Sequence, residues 1–298
     1  MPSLYTQAES NIRRTWILIF GFLVFIIGLG WFFTYLLNNS IFLIIAIIWA
    51  VLQSFLSYWY SDKIVLALTR AKPIEKKDNP ELYRVVENLC ITAGLPLPRI
   101  YILNEAQPNA FAAGRDEKNA VIVVTRGLLE KLEKSELEGV IAHEMSHIGN
   151  RDMLLAAVVV ILVSIIASLS NLFFRINFWR ENRESKGSEG AVLLVLGLLA
   201  AFLAPLAATL IQLAISRKRE FLADTSGVLL TRYPEGLIKA LEKISADPNP
   251  LRVASHQTAH LYISSPFRGR QTNNWLTKLF MTHPPIADRI QALQEMKF

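Results

Sequence analysis

The sequence predicts a mostly α-helical membrane protein with about four transmembrane or hydrophobic helices, joined to an α+β domain that carries a small sheet. Three observations predict it. No Asp, Glu, Lys, Arg or His occurs from Thr15 to Ser61. Two further charge-free runs follow, Met153–Phe174 and Ala191–Ser216. Elsewhere the chain is polar and switches between helical and alternating periodicity. Composition agrees: 52% of residues are hydrophobic, 19% are charged and the mean hydropathy is +0.32. Ordinary soluble domains run at roughly 45–50% and about 25%.

A hydrocarbon core about 30 Å thick takes about 20 apolar residues as a helix, so residues 16–60 have room for two passes. Trp16–Leu37 and Ile41–Tyr60 are expected to form a transmembrane hairpin that turns at Asn38-Asn39-Ser40, with residues 1–15 as a tail. Trp16, Trp31, Tyr35, Trp49, Tyr58, Trp59 and Tyr60 include several rings near the expected ends, where aromatic belts form. The run is too long for a cleaved signal peptide, and no small-residue cleavage site precedes a soluble chain. The second pair of runs, within residues 153–216, either spans or forms a re-entrant hairpin; Pro205 can kink its second member. If both span, the loop Arg175–Gly190, with Arg175, Arg180, Arg183 and Lys186, lies outside and runs against the positive-inside trend.

The net charge is +6 and the pI about 9.4. A nucleic-acid-binding protein would carry that charge as a stripe on a soluble domain. Here Arg13 and Arg14, Lys63, Arg70 and Lys72, and Arg217, Lys218 and Arg219 flank the hydrophobic runs. That pattern points to bilayer orientation and anionic headgroups as partners, not to nucleic acid. Cys90 is the only cysteine, so no intrachain disulfide can form, which suits a reducing compartment.

Residues 61–152 and 217–298 are expected to form the two parts of the polar domain. Ser61–Lys77 reads as a basic connector. In Glu81–Ala93, Leu82, Val85, Val86 and Leu89 share a helical face, and Gly94, Pro96 and Pro98 end it. Arg99–Leu103, Asn109–Gly114 and Ala120–Thr125 read as strands of a small antiparallel sheet. A short helix over Thr125–Lys131 follows. Ser135 opens a capping box with Glu138 before a helix over about Glu136–Gly149. Arg217–Thr231 and Glu235–Ser245 read as helices, Asp247–Asn274 as loop, and a last helix starts near Pro285.

The helix over Glu136–Gly149 carries His143-Glu144-Met145-Ser146-His147. Residues four apart project from one helical face, so both imidazoles can reach one Zn²⁺ at about 2.0–2.1 Å. Glu144 is placed to hold the metal-bound water rather than the metal, as general base. A catalytic zinc site needs a third protein ligand from another element. Gly149-Asn150-Arg151-Asp152 offers no third histidine, whereas Glu220, with Asp224 one turn on, follows the last hydrophobic run. Glu220 is the candidate ligand, and Asp224 can accept from the far ring nitrogen of a ligand histidine. A headgroup-level salt bridge with Arg217 or Arg219 is the alternative for Glu220. His147 just before Met153 and Glu220 just after Ser216 can share a metal only if the chain returns to the side it left. His256 and His260 are also four apart, but Pro and Gly surround them and no Glu follows His256; they read as loop residues.

Ile141–Asp152 and Ser216–Asp224 resemble the HtpX branch of the membrane-integral gluzincin peptidases, a group related to prenyl-protein (CAAX) endoproteases. Met281–Ile290 is similar to the family's C-terminal H-P-P-x-x-x-R element, and Pro108–Gly114 to its active-site edge strand. The resemblance implies a gluzincin-like catalytic domain and one Zn²⁺ held by His143, His147 and Glu220. It implies Glu144 as the catalytic base, and His283 or Arg289 as donor to the developing oxyanion. Asn109, Ala110, Phe111 and Ala112 would take substrate by strand addition. Ordinary alternatives stand beside these roles: a turn position for His283, and a core strand or loop for residues 109–112.

The expected function is zinc-dependent endopeptidase activity on membrane or misfolded proteins, a quality-control role. The resemblance places it in the bacterial plasma (inner) membrane with the site facing the cytoplasm. A selective CAAX-type processing protease is the nearest alternative. A membrane scaffold or transporter is the alternative of another class, but transporters favour ionisable residues within their spans and the four runs have none.

Overall fold

The structure, a computed structural model, describes residues 4–181, 217–255, 257–267 and 284–296. The first hairpin consists of α1 (Leu4–Leu37) and α2 (Ile41–Trp59). Asn38 turns the chain with a left-handed φ of 49°. The Asn39 side chain accepts from the Ile41 N–H and the Thr34 hydroxyl accepts from the Leu43 N–H, which occupies donors that a helix start leaves open. Ala8–Leu36 and Ile41–Trp59 are each long and apolar enough to cross a membrane. Ile41, Ile44, Ile45, Ile48, Leu52 and Phe55 of α2 are exposed, as lipid contact requires.

The second hydrophobic region begins with α7 (Asp152–Glu181), so residues 175–181 of the expected loop are helical. The remainder of that loop and the run Ala191–Ser216 lie outside the described residues. Leu154, Val158, Val159, Leu162 and Ile166 of α7 pack with Ile19, Phe22 and Ile26 of α1 and Ala50 of α2. The helix before it, α6 (Lys134–Gly149), meets α7 at a bend of 82°. Arg151 makes that corner with a φ of 55°. α6 therefore ends where α7 departs, and His147 sits in the last turn of α6.

The connector after α2 is more structured than its composition suggested. It contains α3 (Ser61–Thr69) and the short strand β1 (Lys72–Pro73). Val65 and Leu66 of α3 pack with Phe111, Val121 and Val123 of the sheet and with Ala157 and Val160 of α7. The sheet also contains β2 (Arg99–Leu103), β3 (Ala110–Ala113) and β4 (Val121–Thr125), in the order β1-β2-β4-β3. It is mixed, which corrects the antiparallel expectation: β2 and β4 are parallel, Arg99 opposite Val121, while β1 pairs antiparallel with β2 and β3 antiparallel with β4. β3 forms a hairpin with β4 and takes the outer position, leaving β4 inside the sheet. That matches the uninterrupted apolar run Val121–Val124, buried on both faces.

α4 (Pro80–Ala93) starts as its sequence dictates, with the Asn79 side chain accepting from the Leu82 N–H at 3.0 Å and Pro80 at the first turn. Gly94, at φ 66°, ends it. Thr125 caps α5 (Arg126–Lys131) through the Leu128 N–H. At α6 the capping box lies two residues earlier than expected. Glu136 accepts from the Glu133 N–H at 2.8 Å, and Ser135 falls inside the first turn. Glu136 also accepts from Lys243 of α9 (Pro234–Ala246). α8 (Arg217–Thr231) and α10 (Ile286–Gln294) complete the described helices. Val140, Ile141 and Met145 of α6 form one core with Leu82 and Val86 of α4, Val228 of α8, Leu237 and Leu241 of α9, and Leu293 of α10.

Candidate metal centre

α6 is the central helix of the polar domain and is buried along most of its length. Its partner α8 lies against it at Gly227. A Cβ there would stand 2.9 Å from the backbone N of His143. The absent side chain lets the two helices touch backbone to backbone, which brings Glu220 and Asp224 to the histidines. Gly139 plays the same part against α9, where a Cβ would meet the Leu237 N at 2.7 Å.

His143 and His147 present their Nε2 atoms to each other at 3.2 Å. Glu220 adds its oxygens, Oε2 at 3.8 Å from His143 Nε2 and Oε1 at 3.7 Å from His147 Nε2. One ligand atom from each residue can be chosen so that all lie within 4.8 Å of one another. Two donors on a tetrahedral Zn²⁺ at about 2.05 Å stand about 3.3 Å apart, so the three residues fit that ion with small adjustments. A fourth position remains for water, as a catalytic site requires.

Second partners orient both rings. His143 Nδ1 is 2.9 Å from Asp224 Oδ1, and His147 Nδ1 is 3.1 Å from Asp152 Oδ2. A carboxylate accepts only, so each Nδ1 carries the hydrogen and each Nε2 is the nitrogen left to bind a cation at the shared centre. Arg289 holds Asp224 in a two-pronged pair, Nη2 to Oδ1 at 2.6 Å and Nε to Oδ2 at 2.8 Å. Its Nη1 donates to the Ile263 carbonyl at 2.9 Å. The 3.4 Å approach of Arg289 Nη2 to His143 Nδ1 joins two donors and is no hydrogen bond; both aim at Asp224 Oδ1.

Burial works against the ionised Asp224, but the Arg289 guanidinium and the hydrogen bonds from Arg289 and His143 outweigh it and hold the carboxyl well below its usual range. Burial pushes Glu144 up, partly offset by His143 and His147. Burial would lower His147, yet the Asp152 bond and the Glu220 charge carry it to about 9. The three carboxylates around His147 favour a positive charge at this spot, which suits a divalent cation.

Glu144 is 2% exposed and faces a small cavity of about 40 Å³, lined also by His147, Glu220, Ala112, Ala156 and His260. Ala112 belongs to β3, the edge strand. Ala110, two residues earlier, uses its outward carbonyl to accept from the Ile263 N–H at 3.0 Å. Backbone direction repeats every second residue, so Ala112 turns its N–H and C=O to the same outer side. The Asn109 side chain is engaged with the Ser264 backbone, and Phe111 packs edge-on against Tyr262 at 5.2 Å on the opposite face.

Arg289 is 0% exposed, donates to Asp224 and to the Ile263 carbonyl, stands with Nη1 3.7 Å from Glu220 Oε2, and does not line the cavity. This geometry holds Asp224 in place. His283 and His256 lie outside the described residues. His260, read as a loop residue, is buried in a short 3-10 turn with Nε2 3.2 Å from the Ala156 carbonyl.

Sequence reasoning also passed over Asp152 and Gly227. Asp152 is the acid that opens α7, five residues after His147. Gly227 follows Glu220 by seven residues on the same face of α8, and that spacing was a readable sign of close helix contact.

An apolar hairpin, a helix-borne histidine pair and a carboxylate from a second helix together define a membrane-bound metallopeptidase. Residues 76–297 match the profile of Peptidase family M48, and the chain belongs to that family, whose members are zinc-dependent. A protein described as "Protease HtpX homolog" in Thermoanaerobacter pseudethanolicus is 42% identical over 299 residues, covering 99% of this chain and 98% of that protein. One of the same description in Tropheryma whipplei is 42% identical over 293 residues, covering 98% of each. The crystal structure of S. mikatae Ste24p is 20% identical with a TM-score of 0.49, covering 97% of this chain and 66% of that one.

Proposed function

We propose that this metallopeptidase is an endopeptidase of the bacterial plasma (inner) membrane. Its site faces the cytoplasm, and it cleaves membrane-embedded or misfolded proteins in quality control. The observation that carries the reading is Glu144 in the same cavity as His147, Glu220 and the edge-strand residue Ala112. His143, His147 and Glu220 would hold the zinc, with Asp224 and Asp152 orienting the two rings. When bound, Zn²⁺ supplies Lewis acidity toward water and the scissile carbonyl. Glu144 takes the proton from the attacking water and delivers it to the leaving amine. Its raised affinity for a proton, caused by burial, suits a group that must both accept and return one.

An extended substrate would pair with the outer side of Ala112, which supplies affinity without side-chain selectivity. That suits unfolded segments of varied sequence. His283 is the donor proposed for the oxyanion, on resemblance, and Arg289 acts one step back by holding Asp224. The orientation rests on Arg13, Arg14, Lys63, Arg70 and Lys72, which flank the open end of the α1–α2 hairpin, where the polar domain joins.

Glu144→Gln should keep zinc and lose about 10²–10⁴-fold in peptide turnover, the usual share of a general base. A zinc-loaded variant with near-normal turnover would refute the assignment. Comparing membrane proteomes with active and Glu144→Gln enzyme tests the substrate class: uncleaved membrane proteins should accumulate in the variant.

A further inference from the structure

Asn11 lies near the start of α1, four residues before Thr15, within the stretch that reads in the sequence as a tail. Its side chain is 1% exposed, and a buried amide is costly unless its polar atoms are bonded. They are. Asn11 Nδ2 donates to Asp152 Oδ1 at 2.5 Å and to the Asn150 carbonyl at 3.0 Å. Asn11 Oδ1 accepts from Arg219 Nη1 at 3.1 Å. The Thr15 hydroxyl donates back to the Asn11 carbonyl at 2.9 Å.

These partners are the elements that hold the metal centre. Asn150 ends α6, Asp152 opens α7, and Arg219 directly precedes Glu220 on α8. Asp152 uses its other oxygen, Oδ2, for His147 Nδ1 at 3.1 Å. A carboxylate held at only one oxygen can rotate and release the ring it orients. With the short Asn11 hydrogen bond on Oδ1, where Arg219 Nε stands farther off at 3.6 Å, Oδ2 is directed at His147. Only an amide meets both demands at this position, since it must donate to Asp152 and Asn150 while accepting from Arg219.

We propose that Asn11 is a positioning residue of the metal centre, fixing Asp152 and through it the ligand His147, so that the centre is complete only with the first membrane helix docked. The proposal rests on reading His143, His147 and Glu220 as the zinc ligands. It makes α1 part of the metal-binding device as well as an anchor.

The test uses the full chain in detergent, with two readouts apart from turnover: zinc transfer to a chelator, and the visible absorption of the Co²⁺-substituted protein. Asn11→Leu keeps the side-chain bulk and removes the donors. It should weaken zinc binding by about tenfold, the low end of the 10–100-fold range for residues that orient ligands, and change the cobalt spectrum. Asn11→Asp, with the same shape but no donor, should fail similarly. In an Asp152→Ala background, Asn11→Leu should cost less than about threefold more, because the route through Asp152 is already cut.

Slow thiol labelling of buried Cys90 checks that each variant is folded. If Asn11→Leu exposes Cys90, Asn11→Ala takes its place with the same expected loss. Parent-like zinc transfer and cobalt spectrum would overturn the proposal, as would the full tenfold loss added on Asp152→Ala. Glu220→Ala separates the two readings. Full zinc occupancy in that variant would defeat the ligand assignment; zinc loss there with an unaffected Asn11→Leu would defeat this proposal alone.

Discussion

Gly227 offers the sharpest test of how the metal centre is assembled. In Gly227→Ala the new Cβ would stand 2.9 Å from His143 N and 3.1 Å from Ala142 C and His143 Cα. An unstrained contact needs about 3.5 Å, so the helices must part by roughly half an ångström at this point. Alanine favours a helix interior over glycine by up to about 1 kcal/mol. Overpacking costs about 1–3 kcal/mol. The net effect is a loss of stability of up to about 2 kcal/mol, and the consequence for the metal is larger. Glu220 and Asp224 ride on the displaced helix, and metal–ligand distances tolerate only about 0.2 Å. Elemental analysis after dialysis against a weak chelator should find substoichiometric zinc, and thermal unfolding in detergent should shift down. A variant that keeps one zinc per chain and the parent melting temperature would refute the argument that this backbone contact sets the ligand geometry.

Arg289→Met leaves the Asp224 carboxylate, 2% exposed, without its counter-charge, and breaking such a pair should cost about 3–5 kcal/mol. The pH dependence follows from the same pair. Asp224 is held below its ordinary value, so its contribution is present above about pH 4 and is lost only as pH falls through the lower folded value. Removing Arg289 lets burial raise Asp224, so the variant should lose zinc on acidification at a higher pH than the parent; identical acid profiles would argue against this role. Cys90 is pushed up to about 11 by burial, with Glu87 adding to it, so at pH 7 only about one thiol in ten thousand is ionised. Maleimide should label it slowly in the folded protein and fully in denaturant; rapid labelling of the native chain would contradict the burial.

Hydropathy needs no tertiary contact to be read. The turn of the α1–α2 hairpin and both ends of α2 appear in the sequence almost to the residue because a charge-free run has one low-energy setting in a bilayer, whereas α1 starts at Leu4, inside the expected tail, where no apolar run marks it. Local chemistry made α4 equally legible, from Asn79-Pro80 at its start to Gly94 at its end. The box at α6 was misplaced by two residues because Glu133 and Glu136 offer the same reciprocal bonds as Ser135 and Glu138. The sheet's direction was misread because alternation marks a strand but says nothing about its neighbour. β3 reaches the edge, and β4 the interior, through long-range pairing.

By itself the sequence determined that the chain enters a membrane, and that His143, Glu144 and His147 share one turn-spaced helix face. Those properties depend on composition and on the 3.6-residue period. Only the tertiary structure decided what surrounds them. Gly227 brings α8 against α6, Arg289 is committed to Asp224 and not to the cavity, and Asn11 reaches Asp152 across 141 residues of chain. Such contacts join segments far apart in sequence, and no local spacing encodes which distant side chain satisfies a buried polar group.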